Sequence, residues 1–181
     1  VTERKKMEDL IHDYAFYDAL THLPNRRLFM DRLTQAQSVS RRSGQYGAVM
    51  FLDLDNFKPL NDTHGHSVGD LLLIEVARRI KVSLRDIDTV ARFGGDEFVV
   101  LLSKLSIDRD ESIKNAKIIA EKIRSAIAQS YFLTVATERH KEKIVEHHCT
   151  ASIGVTLFLE YEISQDVILK YADEAMYQSK E

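Results

Sequence analysis

Apolar and polar positions recur along this chain with two periods, one helical and one extended. From residue 3 to about residue 17 a charged stretch carries Met7, Leu10, Ile11 and Tyr14 at spacings of three, one and three, the stripe of a helix. Thr21-His22-Leu23-Pro24-Asn25 interrupts it, and Pro24 suits the first turn of a second helix that runs to about Arg41, with Leu28, Phe29 and Leu33 facing inward. The run YGAVMFL, residues 46–52, is continuous and apolar, as in a central strand covered on both faces, and it leads into Asp53-Leu54-Asp55. A polar loop, NDTHGHSVGD, precedes a helix expected from about Asp70 to Leu84 with Leu73, Val76, Ala77 and Ile80 on one side. Residues 89–93 and 97–102 read as the two strands of a hairpin with Gly94-Gly95-Asp96 at its tip, because paired glycines supply the positive φ of a tight turn. Helical period returns at Ile113, Ala116, Ile119, Ala120, Ile123 and Ile127. Two extended segments follow, at about 131–136 and 144–159, joined by a charged turn around 139–143. Ile168, Tyr171, Ala172, Ala175 and Met176 mark a last helix, expected to run on to the end of the chain. Five or so strands interleaved with helices predict an α/β sandwich.

Composition narrows the picture little further. A chain of 181 residues with 44% apolar and 29% charged residues suits one folded domain. The net charge is −3, and the basic clusters at Arg4-Lys5-Lys6, Arg26-Arg27 and Arg41-Arg42 are short and scattered among acids, which argues against a nucleic-acid partner. The single cysteine, Cys149, excludes an intrachain disulfide and a thiolate zinc site, so a reducing cytoplasm is the expected home. No apolar run approaches the roughly 18 residues of a membrane span; a parent protein could still be membrane-anchored.

The candidate chemistry lies at strand ends. Asp53 leaves the first strand and Asp96 with Glu97 stands at the hairpin tip, so neighbouring strands would bring three carboxylates to one edge. Such carboxylates repel and raise one another's pKa, and a divalent cation removes the conflict. Oxygen donors favour Mg2+, with Mn2+ as the substitute. A plainer account of the same residues makes Asp53 and Asp55 helix or turn caps, Asp96-Glu97 a solvated tip, Asn61-Asp62 a turn and Asp70 a helix cap.

The tip GGDEF, with FLDLDNFKPLND, GHSVGD, DALTHLPNRR, SIGV and ADEAMYQSK, closely resembles the GGDEF family of diguanylate cyclases over about residues 17–180. The resemblance implies an α+β sandwich with a central, mostly antiparallel five-stranded sheet, similar to nucleotidyl cyclases and polymerase palms. It implies a catalytic domain over residues 18–181 behind a linker helix over 1–17, and condensation of two GTP into cyclic di-GMP with two magnesium ions. Asp53, the Leu54 carbonyl, Asp96 and Glu97 match the metal ligands, and Asp96 and Glu97 the catalytic acids, with Asp96 as proton acceptor. Asn61, His66 and Asp70 match substrate positions, Asn61 and Asp70 facing guanine. Lys58, Arg92 and Lys180 are cations placed to meet phosphates, Lys180 matching the family's phosphate-contacting lysine. Arg85 and Asp88 form an R-x-x-D at the family's spacing from the tip, implying a site where the product inhibits. VTERKK resembles the join to an upstream PAS sensor domain, and a ring product built from two GTP implies a homodimer. The rival expectation is a silent regulatory domain that binds GTP or cyclic di-GMP.

Overall fold

The strand β1 (Gly47–Leu54) organises the chain, because it is covered on both faces for six consecutive residues. In the computed structural model, which describes residues 2–136, 142–159 and 163–180, its apolar run resolves into two alternating sets. Ala48, Met50, Leu52 and Leu54 belong to one core, shared with the helices α3 (Phe57–His64), α4 (His66–Ser83) and α5 (Arg109–Ile127). Val49 and Phe51 belong to the other, shared with α2 (Arg26–Ser43) and α6 (Gln165–Gln178). Successive strand residues point to opposite faces, so a run apolar at every position is what a sheet between two helical layers requires.

Four strands make the central sheet, in the order β2 (Thr89–Gly94), β3 (Glu97–Leu102), β1 and β6 (Ala151–Phe158), every pairing antiparallel. The expected fifth strand is not in it. The extended stretch at 144–159 divides into β5 (Glu142–His147) and β6, and β5 pairs instead with β4 (Tyr131–Ala136) as a separate ribbon. β4 buries alternate residues, Tyr131 and Leu133, so it has one covered face and packs beside α4 rather than within the sheet. The expected charged turn lies largely outside the described residues.

Three element boundaries differ from the sequence reading. Pro24 precedes the N-cap of α2 rather than entering its first turn: Asn25 is the cap, its side chain accepting from the Leu28 amide, and Pro24 bridges back to Tyr17. The polar loop after β1 is helical, since Asn56 at φ 61° turns the chain into α3 and Pro59 falls in its first turn, where no intrahelical N–H is needed. α6 ends at Gln178, with the Ser179 amide closing onto the Ala175 and Met176 carbonyls. The first helix, α1 (Glu3–Phe16), matches its expected span, and the Met7, Leu10, Ile11 and Tyr14 stripe is more than half exposed.

Candidate active site

Register places the acids. Asp53 on β1 stands opposite Glu97 on β3 and Ser152 on β6, and all odd-numbered β1 positions face the α2 and α6 layer. The hairpin tip turns through Gly94 at φ 141° and Gly95 at φ 50°, conformations that a side chain resists, and this delivers Asp96 next to Glu97. Phe93 anchors the tip from below, its ring edge-on to Phe29 at 5.4 Å and Phe51 at 6.0 Å, with the Arg26 guanidinium over it at 5.3 Å.

The resulting electrostatics are those of crowded carboxylates. Asp96 is pushed up to about 6, by burial first and then by a hydrogen bond to and the charge of Asp53. Glu97 is raised by burial and by the charges of Asp53 and Asp173, with Arg26 and Lys180 opposing. Lys180, beyond the end of α6, donates to the Asp53 carboxylate, which raises the lysine further. Among the described residues no set of three or more acidic, histidine or cysteine side chains converges closely enough to hold a metal ion. Asp53 and Asp96 are within hydrogen-bonding reach of each other, and their hard oxygen donors suit a cation that takes one or two carboxylates and completes its shell with phosphate oxygens. Leu54 ends β1 beside them with its side chain in the core.

The neighbouring acid Asp55 has a structural task, though not the helix or turn cap of the plainer account. It accepts from the Thr150 hydroxyl at 2.6 Å and the Ser152 hydroxyl at 2.9 Å, fastening β1 to β6. Asp70 does not cap a helix, because α4 begins four residues earlier, at His66, behind Gly65. Asn61 and Lys58 stand on α3, and His66 and Asp70 on α4. The Asn61 Oδ1 is buried without a hydrogen-bond partner and packs against Gly69, where a Cβ would approach it to 1.9 Å. Four of the six substrate candidates thus share one helix pair directly after β1.

Arg92 has a different engagement from the expected phosphate contact. Its Nη1 donates to both carboxylate oxygens of Asp18, at 3.0 and 3.1 Å, and its Nε and Nη2 donate to the Gly95 carbonyl at 3.0 and 2.8 Å. Asp18 is itself bound by the Thr21 amide and hydroxyl. Arg92 therefore ties the signature turn to the segment after α1, and its donors face inward. Sequence reasoning missed this tie because Asp18 is 74 residues away; the only hint was that DALTHLPNRR and the tip occur in one chain.

Arg85 and Asp88 precede β2, five residues of strand and roughly 17 Å from the tip at the rise of an extended chain. They clasp each other: Arg85 donates from Nε and Nη2 to Asp88 at 2.9 and 2.8 Å, and from Nη2 to the Ser103 carbonyl. The Asp88 side chain is fully buried, and the pairing raises Arg85 further.

Residues 15–181 match the family model described as diguanylate cyclase, GGDEF domain. The chain is 43% identical over 167 residues to MucR of Pseudomonas aeruginosa, named as a bifunctional diguanylate cyclase/cyclic di-GMP phosphodiesterase, covering 92% of this chain and 22% of that protein. It is 38% identical to the diguanylate cyclase TpbB of the same organism, covering 92% of this chain and 35% of TpbB. The chain thus spans about a fifth to a third of these relatives. The solved GGDEF domain of TpbB superposes with a TM-score of 0.78 at 36% identity, covering 91% of this chain and 88% of that one. The coiled coil and GGDEF domain of DgcB from Caulobacter crescentus, solved with cyclic di-GMP, gives 0.79 at 27% identity, covering 97% and 86%.

Proposed function

This chain belongs to the GGDEF family of diguanylate cyclase domains, and from that membership we propose that it condenses two GTP into cyclic di-GMP. In each half-reaction the 3′-oxygen of one GTP forms a bond to the α-phosphorus of the other, the bond to pyrophosphate breaks, and the hydroxyl proton departs. The observation that carries the reading is the placement of Asp53 opposite Glu97 with Asp96 at the turn, where burial and mutual charge raise the signature acids.

Asp53, the Leu54 carbonyl, Asp96 and Glu97 are the residues that would hold two Mg2+ ions, or Mn2+ in their place. Such ions supply charge neutralisation for the triphosphate and for the attacking and leaving oxygens. Asp96 would accept the 3′-hydroxyl proton, a role that its pKa, pushed up to about 6 with no metal bound, supports. Asp70 would accept from the guanine edge and Asn61 would donate to or accept from it, with His66 shaping the loop, since an ionised Asp accepts from the N1–H and 2-amino group that adenine lacks. Lys58 and Lys180 would meet phosphates, Lys180 exchanging Asp53 for the nucleotide. Arg92 holds the turn.

Residues 18–181 form the catalytic unit and 1–17 the linker to an upstream sensor, of PAS type, in a cytoplasmic setting. Among the described residues no helix is long and apolar enough to cross a membrane. Two such units make the productive homodimer. Cyclic di-GMP would inhibit at Arg85 and Asp88 by opening their clasp, an arginine fork taking guanine O6 and N7.

The test is incubation with GTP and Mg2+ followed by separation of the nucleotides, wild type against Glu97→Gln. Cyclic di-GMP from the wild type, and a loss of at least a hundredfold in the variant with an unchanged melting temperature, is the expected outcome. No product from the wild type, or full activity in the variant, refutes the reading. Arg85→Ala should leave initial rates intact and abolish the slowing caused by added cyclic di-GMP; unchanged inhibition would remove the inhibitory site.

A further inference from the structure

The charges that α6 brings to the acid cluster depend on how closely that helix lies on the sheet. Gly154 of β6 stands opposite Phe51 of β1, two residues before Asp53. A Cβ built on Gly154 would lie 2.0 Å from the Ala172 carbonyl oxygen, 2.1 Å from the Met176 nitrogen and 2.8 Å from the Ala175 carbonyl carbon. All three are backbone atoms, so no rotamer change relieves the clash. The glycine is not one of the positive-φ positions, and its requirement is space alone. Non-bonded atoms settle at about 3.5 Å, so one methyl group would lift α6 by roughly 1 Å or more.

Asp173 lies within this seat and Lys180 four residues beyond it. Lys180 donates to Asp53, and Asp173 lies near enough to Glu97 for its charge to be felt there. The seat between 172 and 176 is therefore the pivot of both. Resting on the cyclase reading above, we propose that Gly154 is a positioning residue for the active site: backbone-on-backbone contact with α6 sets the reach of Lys180 and Asp173 to the acids on β1 and β3. It touches no reacting atom and acts through the helix.

The experiment compares wild type, Gly154→Ala, Lys180→Ala and the double variant for kcat and KM with Mg2+ and GTP, with thermal melts alongside. Because a shift near 1 Å at a reacting centre costs roughly tenfold to a hundredfold, Gly154→Ala should lower kcat by that factor with KM changed less than about threefold. Adding it to Lys180→Ala should cost less than the product of the two single losses, since the Lys180 contact is common to both and only the Asp173 placement remains to be lost. Asp173→Asn combined with Lys180→Ala, which removes both reaches without touching the seat, takes over the test if Gly154→Ala does not fold, and full kcat in it would equally overturn the proposal. Losses that multiply independently, or folded seat variants with full kcat, overturn the proposal. An inactive wild type would instead sink the cyclase reading, so the two failures are distinguishable.

Discussion

Asp18 and Arg92 form the ion pair whose loss the active site should feel first. Burial works to raise the Asp18 carboxyl, but hydrogen bonds from Thr21 and from Arg92 outweigh it and hold it below its usual value. Both side chains are mostly covered, at 18% and 12% exposed, so the pair is screened less than a surface bridge. Asp18→Asn should lower stability at neutral pH by about 1–3 kcal/mol. The sign with pH follows from the depressed carboxyl: its contribution is present above the unfolded value near 4 and is lost as pH falls through the folded value. Denaturant titrations at pH 7 and near pH 3 should therefore show wild type and variant converging at the acid end, and a constant difference would show that the charge is not the cause. At this scale the acids of the site were legible, because type and spacing declare them. The partner of Arg92 was not, because only the fold brings Asp18 to it.

Helices and strands were legible where a period was sustained and failed where local chemistry decided the state. α5 kept its apolar stripe, and all six periodic positions from Ile113 to Ile127 fall within it, whereas α3 buries only Leu60 and gives no stripe to find. The extended reading of 144–159 could not reveal which partner each half would choose, since pairing is a tertiary matter. A further device joins elements in a way no pattern shows. Arg79 of α4 donates to the carbonyls of Ala126, Gln129 and Ser130, closing the end of α5, and its guanidinium stacks 3.7 Å over the Tyr131 ring at the start of β4. It fastens the helix that carries Asp70 to the helix and ribbon behind it. Arg79→Ala leaves three carbonyls without this donor and should cost about 2–4 kcal/mol in denaturant unfolding. Arg79→Lys should recover little, because an ammonium cannot fork to several carbonyls and stack at once. Full recovery by lysine would reduce the contact to a simple charge.

For the whole molecule the cyclase reading poses a geometric problem: one site would hold one GTP while the ring needs two, facing each other. α1 offers the means of bringing two together. It has only 14 residues, a length at which an isolated helix is marginal in water, and its stripe of Met7, Leu10, Ile11 and Tyr14 lies bare. Met7, Leu10 and Tyr14 fall at the a, d and a positions of a heptad, the pattern of a seam between two helices. Its far end is not loose: the Asn25 amide donates to the Phe16 carbonyl at 2.8 Å, the Asn25 side chain to Ala15 at 3.0 Å, and Arg27 lies over the Phe16 ring. From there the Asp18 and Arg92 tie reaches the signature turn, so a pair of α1 helices would set the approach of two active sites as well as their distance. Specific activity should accordingly rise with enzyme concentration through the dimerisation range. The double substitution Met7→Glu and Ile11→Glu, on exposed positions that the fold does not need, should leave the melt unchanged and lower specific activity at least tenfold at low concentration. Sedimentation of the same samples should show the variant as monomer. Turnover strictly proportional to enzyme, or a monomeric variant with undiminished activity, would place the second GTP somewhere other than on a partner chain.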